Sequence, residues 1–198
     1  MNSLFTTIFK YLAIIVPLSL AMHTTIKAHE PSPTPIHIDL AVSFDIDKKL
    51  LRGTSRITVD KGHDLQLMFP DLRITAALIS SGERENAPVE IQGDTLALPA
   101  ADEKRTLLIS YEKDVQDSFS NVISERAIIL TANWHPLPQH KALYSLNAQL
   151  PEGFIGLAQA DELVETDDSG QVSFSFSQPL FALTLVSGRY VKTRKTIR

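Results

Sequence analysis

The sequence predicts an all-β fold, a largely antiparallel, multi-stranded β-sandwich placed after an N-terminal signal peptide. Three observations predict it. Apolar and polar residues alternate with period two in several segments. Eleven prolines and eight glycines punctuate the chain at short intervals. No segment carries the apolar stripe of an amphipathic helix.

The first strand is the clearest. Ile36, Ile38, Leu40, Val42, Phe44 and Ile46 are apolar, and His37, Asp39, Ala41, Ser43 and Asp45 lie between them. Period two over this length puts one face in a core and one in water. Asp47-Lys48-Lys49 opens a connection that Gly53 closes, and residues 54–59 return as a β-branched strand. Leu65, Leu67 and Phe69 alternate up to Pro70. Ile74, Ala76 and Leu78 alternate up to a turn at Ser80-Ser81-Gly82. Residues 94–98 and 105–111 read as a pair around Pro99-Ala100-Ala101-Asp102, with Leu107, Ile109 and Tyr111 on one face. Residues 112–125 are polar and unpatterned and read as a long loop or short helix. Ala127 to Thr131 is a short buried strand. Tyr144, Leu146, Ala148 and Leu150 face inward, and Pro151-Glu152-Gly153 turns the chain. Asp167-Asp168-Ser169-Gly170 turns into the strand of Val172, Phe174 and Phe176, and Phe181, Leu183 and Leu185 follow. Ser187-Gly188 reads as a turn. The total is about ten short strands with turn signals between them, the pattern of a sandwich.

Both ends of the chain read differently. Residues 1–28 hold Lys10 and Lys27, no acid, and an apolar run from Leu12 to Met22. That run is too short for a bilayer, which takes roughly 20 residues. A basic start, an apolar stretch and a small exit residue make a signal peptide, cut after Ala28, with Ala21 as the alternative and a retained anchor as the rival reading. The protein is therefore expected to be exported, to the periplasm or out of the cell, with membrane contact only through that signal. Residues 29–35 form a proline-spaced linker, residues 36–191 the β-domain, and residues 192–198 a basic tail or a strand cut in mid-course.

Composition excludes several functions. The mature chain keeps 17 of 19 basic residues against 23 acidic ones, a net charge of −6. An acidic domain without a basic stripe is not expected to bind nucleic acid. The chain has no cysteine, which excludes disulfides and thiolate zinc sites.

No residue set carries a recognisable chemistry. A zinc peptidase helix needs His-Glu-x-x-His. The one His-Glu pair, His29-Glu30, is followed by prolines, and position 33 is Pro33. His135 and His140 flank prolines at a spacing that does not converge on one ion, and read as solvated loop residues, as do His37 and His63. Asp161, Glu162, Glu165, Asp167 and Asp168 lack the order of a calcium loop. No Gly-x-Ser-x-Gly elbow or glycine-rich phosphate loop is present. Trp134 reads as a core anchor, with a ligand platform as the alternative. No catalytic residue and no metal ligand are expected, and the substrate-binding set is unknown.

Several segments resemble a known family. Ile38-Asp39-Leu40-Ala41-Val42-Ser43-Phe44-Asp45-Ile46-Asp47, followed by Leu51-Arg52-Gly53-Thr54-Ser55-Arg56-Ile57-Thr58-Val59, resembles the start of the N-terminal domain of M1 zinc aminopeptidases. Leu130-Thr131-Ala132-Asn133-Trp134-His135-Pro136 is similar to the family's aromatic, proline-bearing segment. Tyr144 to Gly153, Phe174 to Leu180 and Leu185 to Tyr190 resemble its later strands. The resemblance implies a saddle-like β-domain that packs on a zinc-bearing catalytic domain and helps shape a peptide cleft. In the family that second domain holds His-Glu-x-x-His, a distant zinc-binding Glu and a Gly-x-Met-Glu-Asn strand. None of these motifs occurs here, so the chain alone is expected to be inactive and to bind no cofactor. The implied partners are an M1-type catalytic domain and peptide. The family's β-domain often lends a Gln or Glu to the substrate's amino end. Glu125 is the nearest acid upstream of Leu130, but its surroundings do not match and the role is not carried over. The alternative is a stand-alone secreted or periplasmic binding module for sugar or protein, using Trp134.

Overall fold

A computed structural model describes residues 36–82, 84–166 and 170–190 of the chain. The expected signal peptide, linker, basic tail and the acids Asp167 and Asp168 lie outside the described residues.

Among the described residues there are fifteen strands and no helix. They are β1 (Ile36–Asp45), β2 (Leu50–Val59), β3 (Leu65–Met68), β4 (Arg73–Ser81), β5 (Arg84–Pro88), β6 (Thr95–Leu98), β7 (Arg105–Asp114) and β8 (Asn121–Ile123). Then come β9 (Ala127–Leu130), β10 (Leu137–Pro138), β11 (Ala142–Gln149), β12 (Ile155–Ala158), β13 (Glu162–Thr166), β14 (Gln171–Ser175) and β15 (Leu185–Gly188). An eight-stranded sheet has the order β13-β14-β11-β1-β2-β7-β4-β5. Smaller sheets run β10-β3-β6 and β12-β15-β9-β8. Every pairing is antiparallel except β1 with β11. The all-β, sandwich-like expectation is borne out.

Alternation explains which face is buried. Register sets Leu40 of β1 beside Ser55 of β2 and Leu146 of β11, and Ser55 beside Ile109 of β7. That face holds Ile38, Val42, Leu51, Ile57, Leu107, Tyr111, Tyr144 and Phe174, all buried. The two small sheets cover it with Leu65, Leu67, Leu96, Leu98, Ile123, Ile128, Leu130 and Leu185, and all of these form a single cluster. Each such side chain, fully buried, contributes roughly 1.5–3 kcal/mol. The opposite face of the large sheet is mostly polar, with Asp39, Thr54, Ser110, Ser145, Asn147 and Ser173, and it also carries the partly exposed pair Leu78 and Leu108.

Five expectations need correction. Gly53 does not close a loop, since β2 already starts at Leu50 and Gly53 lies inside the strand, opposite Val42 and Tyr111. A Cβ there would stand inside the Tyr111 ring, so the glycine serves close packing. Residues 94–98 and 105–111 do not pair. β6 joins β3 in the small sheet, and β7 lies between β2 and β4 in the large one. Ile74, Ala76 and Leu78 do not share a face, because a register shift between Ile74 and Ala76 interrupts β4. Ile74 opposes Tyr111, Ala77 opposes Ile109 and Ile79 opposes Leu107 on the core side. Residues 112–125 are partly strand, as β7 runs on to Asp114 and β8 follows. Lys113 disguised that extension. It is buried, with Nζ 3.4 Å from the carbonyl oxygen of Asp71 and 3.8 Å from its carboxylate. Burial lowers its pKa, and the Asp71 charge opposes that shift. Finally, Ser187-Gly188 is the end of β15 rather than a turn.

Candidate functional site

An open cavity of about 790 Å³ is lined by Ile46, Asp47, Glu125, Arg126, Pro151, Phe154 and Arg189. Three turns and one strand end build it. Lys49, at φ 49°, closes the turn after β1 with its N–H donating to the Ile46 carbonyl at 3.1 Å, and this sets Ile46 and Asp47 at the rim. Ser124 pins the turn between β8 and β9. Its Oγ accepts the N–H of Arg126 at 3.3 Å and of Ala127 at 3.2 Å, leaving Glu125 and Arg126 at the tip. Gly153, at φ 75°, lets Phe154 N–H reach the Pro151 carbonyl at 3.1 Å, which aims Phe154 inward. Gly188 pairs with Ala127, so Arg189 follows β15 out beside Arg126.

Asp47, Glu125, Arg126 and Arg189 are exposed, and none forms an ion pair among the described residues. Two cationic and two anionic side chains around an apolar floor can hold the charged groups of a polar chain such as a peptide. Glu125 is named in the sequence reading only through the family resemblance, as the nearest acid upstream of Leu130, with no role assigned. Arg126 is its neighbour on the same turn, and the remaining lining residues come from three other segments that no local pattern announces.

A second constellation holds serine, aspartate and histidine. Parallel pairing sets Ser145 opposite Asp39, and Ser145 Oγ donates to Asp39 Oδ1. His37 Nε2 lies 2.9 Å from that same oxygen. The order is wrong for a nucleophile, because aspartate separates the serine from the imidazole. The group beside Ser145 is the Asp39 carboxylate and not an imidazole.

The other sequence candidates are dispersed. His63 is half-buried, its ring N–H donating to the Lys61 carbonyl at 3.1 Å, and His140 is exposed. Asp161 accepts the Ser177 N–H at 2.6 Å, and that bond lowers its pKa. Among the described residues no three His, Asp or Glu side chains gather to hold a metal ion. The donor set for the zinc that M1 peptidases carry is not found among the described residues.

Trp134 is the core anchor expected, fully buried with its indole N–H donating to the Leu183 carbonyl at 2.8 Å. It cannot serve as a ligand platform. His135 overturns the expectation of a solvated loop residue, since it is fully buried. Its ring stands edge-on to Trp134 and to Tyr144, with centroids 4.7 and 5.6 Å away. Nδ1 lies 2.8 Å from the Pro136 carbonyl and donates its proton there, and Nε2 accepts the Leu183 N–H at 3.1 Å. Burial lowers its pKa to about 4, against a weaker opposite pull from the Pro136 carbonyl. The unfolded chain therefore binds a proton in a window where the folded one does not, between pH 6.5 and about 4. Stability is full above that window and falls with pH through it. Between pH 7 and pH 5 the expected loss is about 2 kcal/mol, read from urea unfolding at each pH. His135→Gln should flatten that slope, and an unchanged slope would mean His135 does not titrate in this window.

No family model matches the sequence, and no curated protein does. Solved structures do. An M1 zinc metallopeptidase from Deinococcus radiodurans is similar with a TM-score of 0.58 and 16% identity, over 78% of this chain and 42% of that one. A mutant of an M1 zinc metallopeptidase from the same organism, bound to a Tyr-Ser-Ala substrate, gives a TM-score of 0.53 and 14% identity over the same shares. The likeness is one of fold, and through it this chain is structurally related to the M1 zinc metallopeptidases across less than half of their length.

Proposed function

We propose that this chain is a non-catalytic β-domain of the M1 type that seats against a zinc-bearing catalytic domain and forms one wall of a peptide cleft. The observation that carries the reading is the shared fold, which covers most of this chain and only 42% of the metallopeptidase. The open groove around Glu125, Arg126, Arg189 and Phe154 supports it, because it offers both charge signs and an apolar floor to a peptide. The chain binds no zinc of its own and works after export, in the periplasm or outside the cell. A stand-alone binding module built on Trp134 is not favoured, since that ring is inside the core.

The test is an assay of the purified chain with zinc and a Tyr-Ser-Ala peptide, beside affinity purification of the tagged chain from its native cells. The expected result is no turnover by the chain alone. The co-purified material should contain a polypeptide with His-Glu-x-x-His and should hydrolyse the peptide. Zinc-dependent turnover by the chain alone, or purification with no such polypeptide, would remove the reading.

A further inference from the structure

We propose that Lys113 is a reaction site for small uncharged aldehydes, which enter the cavity beside it and form an imine on its side-chain nitrogen, with the Asp71 carboxylate as proton carrier. The site goes beyond the functional reading above and stands independently of it.

The sequence puts a lysine where strand parity calls for an apolar residue. Tyr111, Lys113 and Val115 alternate towards the core, and Leu51 lies opposite Lys113 across the ladder. Lys113 is the one buried lysine among the described residues, with its side chain 7% exposed. A buried ammonium group has three N–H donors to satisfy and a hydration shell to replace. Here it has one long contact, 3.4 Å to the Asp71 carbonyl, and the Asp71 carboxylate is 3.8 Å away and largely exposed.

A purely structural cation is held differently, and the same face of β7 shows how. Arg105, similarly buried, donates from Nη2 to the Pro99 carbonyl at 2.7 Å and to the His63 carbonyl at 3.2 Å. A guanidinium keeps its charge in such a place, whereas a buried amine gives up its proton readily. Burial lowers the pKa of Lys113, and the Asp71 charge opposes that shift. The neutral amine is the nucleophilic form, and desolvation raises its share near neutral pH.

There is room for a substrate. An open cavity of about 330 Å³ has Lys113, Asp71, Asp114, Gln116, Ser118 and Asn121 in its lining. That volume is at the lower end of the range for small-molecule sites, roughly 300–1,000 Å³. Nζ is the atom of Lys113 that meets Asp71, so the amine stands at the cavity wall. Ser118 and Asn121 are occupied in building that wall. Ser118 Oγ accepts the Asn121 N–H at 3.1 Å, and Asn121 Nδ2 donates to the Ala132 carbonyl at 2.8 Å. Asp114 and Gln116 are exposed, and no hydrogen bond or ion pair among the described residues engages their side chains. Two carboxylates, Asp71 and Asp114, repel an anion and accept hydrogen bonds from hydroxyl groups. The ligand class is therefore a short, uncharged hydroxyaldehyde.

The step is a condensation. The nitrogen lone pair forms a C–N bond to the carbonyl carbon as the C=O π bond opens to a hydroxyl. Both amine protons pass by way of the Asp71 carboxylate to the departing oxygen, which leaves as water as the C=N bond forms. No oxidant or reductant takes part.

The test incubates the full chain near neutral pH with glyceraldehyde and sodium cyanoborohydride, which fixes the imine as a secondary amine. Peptide mass spectrometry then follows each lysine. Lys113 is expected to react at least about tenfold faster than Lys48 and Lys104, whose side chains are 70% and 66% exposed. Glyoxylate, an anionic aldehyde, should show no such preference. Asp71→Asn keeps a residue that tolerates the positive φ of 58° at this turn. It should slow the glyceraldehyde reaction at Lys113 about fivefold or more. Acetylation of Lys113 by acetic anhydride needs only the free amine and should be as fast or faster in that variant. If Lys113 reacts no faster than Lys48 and Lys104, its nitrogen is a buried brace for the Asp71 turn and the proposal is overturned. A glyoxylate preference as large as that for glyceraldehyde, or a parallel loss of acetylation in the variant, overturns it as well.

Discussion

Replacing Trp134 by alanine should cost about 4 kcal/mol of stability, the largest single loss expected in this molecule. The indole is the largest fully buried side chain. Its removal leaves a cavity between the small sheets and the Tyr144 side of the core, and the neighbours are strands whose backbones are fixed by their ladders. The carbonyl of Leu183 also loses its donor, and a buried acceptor without a partner adds to the loss. His135 would lose its edge contact while still holding the Leu183 N–H. A domain of this size has only about 5–15 kcal/mol in total, so the variant should melt roughly 10 °C lower. Thermal unfolding followed by far-ultraviolet circular dichroism measures it. A loss below about 1 kcal/mol would mean that the surroundings collapse freely into the space.

Gly53→Ala should cost about 3 kcal/mol or more, although it adds one methyl group. In an ordinary strand the same change is neutral or helpful, because alanine has less freedom to lose on folding. Here the new Cβ occupies the place of the Tyr111 ring. Gly53 is flanked by β1 on one side and β7 on the other, and neither ladder can shift without breaking its register. The ring must leave its rotamer, and overpacking of this kind costs about 1–3 kcal/mol or somewhat more. The diagnostic is coupling. In a Tyr111→Val background, Gly53→Ala should cost less than about 1 kcal/mol. Equal costs in both backgrounds would show that the ring is not what excludes the methyl group. Tyr111→Phe alone should be close to neutral, since the buried hydroxyl has no partner to lose.

These two residues mark how far the sequence could be read. β1, β11 and β14 were legible because each buries one face and wets the other, which writes the period directly into residue order. Trp134 was legible because a lone large aromatic beside prolines belongs in a core. Gly53 was misread because a glycine signals a turn and a close approach with the same letter. β7 was cut short at Tyr111 because Lys113 looks like a surface residue, while its ammonium group reaches the carbonyl of Asp71 from inside. β4 was read one face wrong because a bulge changes parity without changing composition. His135 reads as a solvated residue in the sequence because nothing local shows that Leu183, far along the chain, brings it a hydrogen bond. The groove was the least legible part. Glu125 entered only through the family resemblance, and Asp47, Phe154 and Arg189 meet it through turns and strand ends that no short window contains.

The one parallel pairing has a consequence for how the chain reaches this state. Asp39 and Ser145, side by side in the finished sheet, are 106 residues apart in sequence. β1 precedes every other described strand, yet one of its two ladders has no partner until β11 has been made. Such long-range closure is slow, since chain entropy is lost before the pairing rewards it. Until then β1 offers one unpaired edge of backbone N–H and C=O groups to other chains, a template for misassembly during synthesis.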